Sequence, residues 1–160
     1  MVEQTPTTSR VMLVVIDESA EHHVALRFAA LRAAHTGGRV AMLYVIEPQD
    51  SQQWKAVEDL MREERRAEAE ATIKQLSEQV FEWSGSMPAI FLREGKMREE
   101  LLKLIEEEPS ISILVLAAAT GPEGPGPLVT HLAGKIAGRL RIPVTIVPGG
   151  LTDEQIAALT

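Results

Sequence analysis

Five short apolar runs alternate with stretches of helical periodicity, and this alternation narrows the architecture more than any other feature of the chain. The first run, VMLVVID from Val11, is β-branched and nearly unbroken, the pattern of a strand buried on both faces of a parallel sheet. RVAMLYVIEP from Arg39 repeats the signal and closes at Pro48. PAIFLREG from Pro88, ISILVLAA from Ile111 and PVTIVP from Pro143 supply three more strands. Between the first two, Ser19 is placed to cap a helix with Val24, Phe28 and Leu31 at helical spacing, and Gly37 and Gly38 supply its stop. A long helical segment runs from Ser51 to about Trp83, with Trp54, Val57, Leu60 and Met61 early and Leu76, Val80 and Trp83 late. Its middle, REERR at 62–66, reads as a solvated face. Met97, Leu101, Leu104 and Ile105 mark a third helix that Pro109 ends, and Leu128, Leu132, Ile136 and Leu140 mark a fourth. The pattern predicts an α/β fold: one open five-stranded parallel sheet with helices on both faces, joined by right-handed crossovers. Thr152 and Gln155 form a capping box for a short C-terminal helix with Ile156 and Leu159 on its apolar side. Residues 1–10 are expected to be a flexible start, 11–148 the domain, and 149–160 a tail.

Charge and residue usage exclude several function classes. Sixteen Lys and Arg against 23 Asp and Glu give a formal charge of -7, which repels a phosphate backbone, so nucleic acid is not an expected partner. There is no cysteine, hence no disulfide framework, thiolate nucleophile or Cys-ligated zinc. The longest apolar run, Ile113 to Ala119, is far short of the roughly 20 residues of a membrane span, and MVEQTPTTSR lacks an apolar signal core. A cytoplasmic protein is expected.

Taken in order, VMLVVIDESAEHHVALRFAA, MLYVIEP, the FLREG turn before a helix and the closing IPVTIVP resemble the universal stress protein family over Val11 to Pro148. The resemblance implies the strand order 3-2-1-4-5 and a homodimer formed largely through the last strand. In one branch of the family it also implies ATP held by Gly-x2-Gly-x9-Gly-[Ser/Thr]; another branch lacks that motif and does not bind ATP.

Two registers compete for the motif. Gly121, Gly124 and Gly134 match the spacing literally, which would start the last helix at Lys135. The apolar stripe from Leu128 to Leu140, however, passes through Gly134 without changing phase, and Pro127, with φ already near the helical value and no N–H to waste, is the better first helical residue. Counting without gaps from the flanking strands places the motif on Ala117, Thr120, Thr130 and His131, with every glycine replaced. Ala or Thr there adds a Cβ where the family brings backbone close to phosphate, and Pro122, Pro125 and Pro127 remove N–H donors. Gly121, Gly124 and Gly126 still offer N–H groups before a helix N-terminus, and His131 and Lys135 share one helix face. An altered phosphate loop follows.

Asp17, after Ile16 at the carboxyl end of the first strand, matches the family's nucleotide-contacting aspartate; equally, it can accept N–H bonds from its own turn. Val45 matches the position that meets adenine, and is also a core valine. His22 and His23 point to different helix faces and make a poor metal pair, while His35 sits where a helix C-terminus favours a cation. Val129 stands where a P-loop needs glycine, and no catalytic constellation is present. The expectation is a dimeric, non-catalytic module of the stress response that binds ATP or AMP, with Mg, at an altered site and acts on a protein partner. Its alternatives are a dimerisation scaffold without ligand and an adenylating enzyme. The latter needs a Ser- and Gly-rich loop after the first strand, where this chain reads DESAEHH.

Overall fold

A computed structural model describes residues 10–17, 19–48 and 54–160; the expected flexible start and the Ser51 helix start fall outside them. The elements are β1 (Val11–Ile16), α1 (His22–Thr36), β2 (Arg39–Ile46), α2 (Lys55–Ser84), β3 (Ala89–Glu94), α3 (Met97–Glu107), β4 (Ile111–Ala118), α4 (Pro127–Thr130), β5 (Val144–Pro148) and α5 (Asp153–Leu159). All strand pairs are parallel and the sheet order is β3-β2-β1-β4-β5, the order the family resemblance implied.

The unbroken apolar character of β1 has a direct cause. Val11, Leu13 and Val15 point into one core with Leu101, Leu104 and Ile105 of α3 and Val129 of α4. Met12, Val14 and Ile16 point into a second core with Ala25, Leu26, Ala29 and Ala30 of α1 and Ile73, Leu76 and Val80 of α2. Side chains alternate across a strand, so a central strand coated on both faces has no position left for water. Alanines line α1 where it meets the sheet, which lets the helix lie close. Gly37 (φ 73°) and Gly85 (φ 78°) end α1 and α2 in the left-handed conformation, each N–H turned back on the last turn.

Four expectations change. The fourth helix is not one α-helix: α4 passes at His131 into a π turn (His131–Lys135), then a 3-10 turn (Ala137–Arg139), and Leu140 is extended. Gly134 and Gly138 lower helix propensity there, so tertiary packing of Leu132 and Ile136 decides the winding. Gly134 thus lies inside the segment, as expected, although the segment is not a regular helix. The first third of α2 projects apolar groups into solvent, with Trp54 85% and Leu60 56% exposed; its packing on the sheet begins at Ala69. On α5 the capping box forms as expected, but only Ile156 is buried and Leu159 is 61% exposed. The tail docks on α1 through Ile156, an Arg27–Asp153 ion pair and the Thr160 carbonyl, which accepts from His35 Nδ1 at 2.8 Å. His35 therefore pins the tail in addition to sitting at a helix end.

Candidate functional site

In this strand order the crossovers reverse direction between β1 and β4, and open α/β sheets bind ligands beyond the carboxyl ends of their strands at such a point. Asp17 follows β1 immediately and is half-buried. Its Oδ1 accepts the Ser19 N–H at 3.0 Å and the Ser19 hydroxyl. Ser19 therefore does not cap α1, because its hydroxyl is spent on Asp17; Glu21 occupies the N-cap position without a side-chain cap bond, and its carbonyl accepts the N–H groups of Val24 and Ala25. The Ser19 carbonyl instead receives His22 Nδ1 at 2.7 Å. Asp17 serves its own turn, and the same residue borders a large cleft.

That cleft has a volume of about 1230 Å³. Ile16, Val45 and Ile46 border it at the ends of β1 and β2, together with Met97 and Leu102 of α3, Leu128 of α4 and His131 at the α4–π junction. The β3–α3 turn is held to β2 twice: the Gly95 N–H donates to the Ile46 carbonyl at 3.0 Å, and the Met97 N–H donates to Glu47 Oε1 at 3.1 Å. Glu47 thereby satisfies one of the orphan donors at the start of α3. Of the candidate residues read from the sequence, Ile16, Asp17, Val45 and His131 come together here.

The others lie along the β4–α4 loop. Ala117 and Gly126 border an adjoining pocket of about 80 Å³ that shares Asp17, Pro127 and Leu128 with the cleft. Thr120, Gly121, Gly124 and Thr130 border neither cavity. The loop folds on itself. The Ala119 N–H donates to the Pro125 carbonyl at 3.0 Å and the Gly124 N–H to the Gly121 carbonyl at 3.3 Å. Thr130 donates both its N–H, at 3.0 Å, and its hydroxyl, at 2.8 Å, to the Gly126 carbonyl. Gly124 (φ 98°) and Gly126 (φ 103°) need their positive φ for this turn. The helix start is at Pro127, and at Gly134 a Cβ would meet nothing within 4 Å, so no neighbouring group approaches that backbone closely.

Sequence reasoning missed the far wall of the cleft. Arg65 and Glu68 of α2, and Lys96, Arg98 and Glu99 around the start of α3, all border it. The REERR run read as plain solvated surface is divided in role: Arg62 and Arg66 pair with Glu94 at the end of β3, while Arg65 faces the cleft. The hydrogen bond from Arg62 holds the Glu94 carboxyl below the usual carboxylate range, against the effect of desolvation, and raises the Arg62 guanidinium. Both groups are exposed, so the pair fastens α2 to β3 only as firmly as solvent screening allows. Among the described residues no group of three or more His, Asp or Glu could hold a metal ion, and no helix is long and apolar enough to cross a membrane.

A parallel 3-2-1-4-5 sheet with its cleft at the β1 and β2 ends agrees with the family comparison, in which the model of the Universal stress protein family matches residues 8–148. The chain belongs to the universal stress protein family. Solved structures of the same fold include universal stress protein UspA from Lactobacillus plantarum, at 17% identity and TM-score 0.71 over 86% of this chain and 97% of that one. A universal stress protein in complex with cAMP aligns at 16% identity and TM-score 0.61 over 88% and 98%. The universal stress protein from Archaeoglobus fulgidus in complex with dAMP aligns at 16% and 0.58 over 87% and 97%. At these identities the likeness is one of fold. No curated protein matched the chain in sequence.

Proposed function

We propose that this universal stress protein is a regulatory module that works by binding an adenine nucleotide rather than by turning over a substrate. The observation that carries the reading is the cleft at the carboxyl ends of β1 and β2, bordered by the apolar residues Ile16, Val45 and Leu128 and by Asp17 and His131. Apolar residues at the cleft's border suit an aromatic base, and a carboxylate among them suits hydroxyl or amino donors of a nucleoside. The fold likeness to proteins solved with cAMP and dAMP supports the same ligand class. Among the described residues that border the cleft there is no Ser or Thr. In this reading Ala117, Thr120, Gly121, Gly124, Gly126 and Thr130 form an altered phosphate loop whose N–H groups are partly committed to its own turn. The protein works in the cytoplasm as a homodimer, pairing β5 with its symmetry mate, and passes its signal to a protein partner.

The alternative of a ligand-free dimerisation scaffold is favoured by one observation: β5 is an edge strand with Ile146 exposed, a ready pairing surface independent of any nucleotide. Thermal unfolding with and without AMP separates the two. With ligand at about a hundred times its Kd, linkage gives about 2.7 kcal/mol, or roughly 5–10 °C in a domain of this size. A shift in that range with AMP supports the module. No shift with AMP, adenosine or ATP at millimolar concentration leaves the scaffold.

A further inference from the structure

The first third of α2 is built with its polarity reversed. Ala69, Ile73, Leu76 and Val80 belong to the stripe that α2 buries. Carried back by helical spacing, that stripe passes through Arg66 and Arg62, which pair with Glu94 of β3. Charged groups therefore face the domain, and the apolar ones face water: Trp54, Val57 and Leu60 are exposed, with Met61 half-buried beside them. Trp54, Val57 and Met61 are spaced i, i+3, i+7 and Leu60 adjoins Val57, so all four share one side of the helix. A surface helix ordinarily turns its apolar stripe to the core. A stripe turned outward, with a tryptophan at its head, is a contact surface for another molecule.

Charge on the same side narrows what that molecule is. Beyond Met61 the stripe continues at helical spacing through Glu64 and Glu68, and Glu58 lies alongside. Among the described residues none of these three carboxylates is held in an ion pair. The adjoining cation, Arg65, lies in the field of Glu94. Apolar at one end and acidic at the other, the stripe does not complement a second copy of itself along its length. An antiparallel two-fold pairing sets the Trp54 end against carboxylates, and a parallel one sets like carboxylates against each other. The same carboxylates are repelled by an anionic lipid surface. What complements the stripe is a protein groove that is apolar where Trp54 and Leu60 enter and carries lysine or arginine opposite Glu64 and Glu68.

We propose that this stripe of α2 docks into such a groove on a partner protein, with Trp54 and Leu60 as anchors and Glu64 and Glu68 setting the direction. The proposal rests on the protein-partner part of the reading above, names the surface that part requires, and is independent of the nucleotide. Glu68 also borders the cleft, so the partner and a molecule in the cleft share that residue.

The probe is a dye-labelled peptide of leucine and lysine at helical spacing, which offers an apolar face edged by ammonium groups; its leucine and glutamate counterpart is the charge control. Fluorescence anisotropy is read with the full chain in the absence of nucleotide. The wild type is expected to bind the lysine peptide saturably and not to bind the glutamate peptide. Trp54→Ala/Leu60→Ala should weaken binding about tenfold or more, and Glu64→Lys/Glu68→Lys at least about threefold. Phe81→Ala, which removes an exposed apolar group elsewhere on α2, should leave it unchanged. All the replaced side chains are exposed, so the variants keep the fold. Affinity unchanged in Trp54→Ala/Leu60→Ala, an equal loss in Phe81→Ala, or no saturable binding at millimolar peptide overturns the proposal. Self-association in sedimentation that is lost in Trp54→Ala/Leu60→Ala would assign the stripe to a second copy. Flotation with phosphatidylcholine and phosphatidylglycerol vesicles that is lost in the same variant would assign it to a bilayer, and either result overturns the proposal too. The AMP melting shift is read separately, so a failed peptide titration leaves the nucleotide reading standing.

Discussion

Gly149 joins the end of β5 to the end of β4, and replacing it with alanine is expected to destabilise the protein despite the mildness of the change. Its N–H donates to the Ala118 carbonyl at 2.8 Å, tying the end of β5 to the end of β4. A Cβ built on Gly149 would lie 2.3 Å from that same carbonyl oxygen and 2.7 Å from Glu21 Cγ. The Glu21 side chain can swing aside; the carbonyl is backbone and cannot. Separating carbon and oxygen to an ordinary contact moves the β5 end by most of an ångström and stretches the hydrogen bond. Overpacking of this kind costs about 1–3 kcal/mol, and the entropy gained by removing a glycine from the unfolded chain returns about 0.4–1 kcal/mol. The net loss of about 1–2 kcal/mol lowers Tm by roughly 2–8 °C in a chain of this length. Gly134→Ala is the matched control, because nothing lies within 4 Å of its Cβ and its φ is not positive; it should be neutral or stabilising by up to about 1 kcal/mol. Differential scanning calorimetry of the two variants decides it. A Gly149→Ala Tm at or above wild type would refute the close approach of β5 to β4 from which the cost is derived.

Three further outcomes follow from the same structure. Ile156→Ala removes the one buried side chain of α5, a seven-residue helix that cannot persist alone; amide exchange across 153–159 should accelerate at least about tenfold while β1 stays protected, and unchanged protection would show that polar contacts suffice. Glu94 has its pKa lowered from 4.5, first by the Arg62 hydrogen bond, so the pair's contribution is complete above that value and is lost as pH falls through the lower folded value. The Tm difference between wild type and Glu94→Gln should therefore be small but present near about pH 7 and vanish near about pH 2; a difference that grows on acidification has the wrong sign. Pro143 and Gly149 both bond to β4, so by alternation Ile146 presents its N–H to the open edge of β5; Ile146→Pro removes that donor and should shift a β5-paired dimer towards monomer in sedimentation, whereas a dimer of undiminished strength would put the interface elsewhere.

What the sequence revealed and concealed divides along physical lines. The five strands were legible because each central strand is coated on both faces, which writes an unbroken apolar run. Their order was not contained in that pattern and came from the family resemblance. The Leu128–Leu140 periodicity suggested one regular helix because spacing reports which residues face the core, not how the backbone winds between them, and Gly134 and Gly138 let it widen and tighten. Trp54 and Leu60 carried the hydrophobicity of a buried stripe, yet α2 reaches the sheet only from Ala69 onward. Ile16 and Asp17 could be collected from the end of β1, whereas Val45 and His131 came from positions matched through the family resemblance. Arg65, Lys96 and Arg98 could not, because a charge in a polar helix turn and a charge at a helix start look alike in sequence whether they face water or a cleft. Only the crossing of α2 and α3 over the ends of β1 and β2 brings them together.

The central claim is that adenine nucleotide enters the cleft between the β1 and β2 ends and the α2/α3 wall. It is tested most directly by titrating isotope-labelled protein with AMP and following backbone amide shifts. The account predicts saturable shifts at Val45, Ile46, Met97 and His131, with Ser112 and Ile90, at the far end and the outer edge of the sheet, unmoved. Shifts confined to Gly121, Gly124 and Gly126, or no saturable shift in the cleft at millimolar AMP, would contradict it.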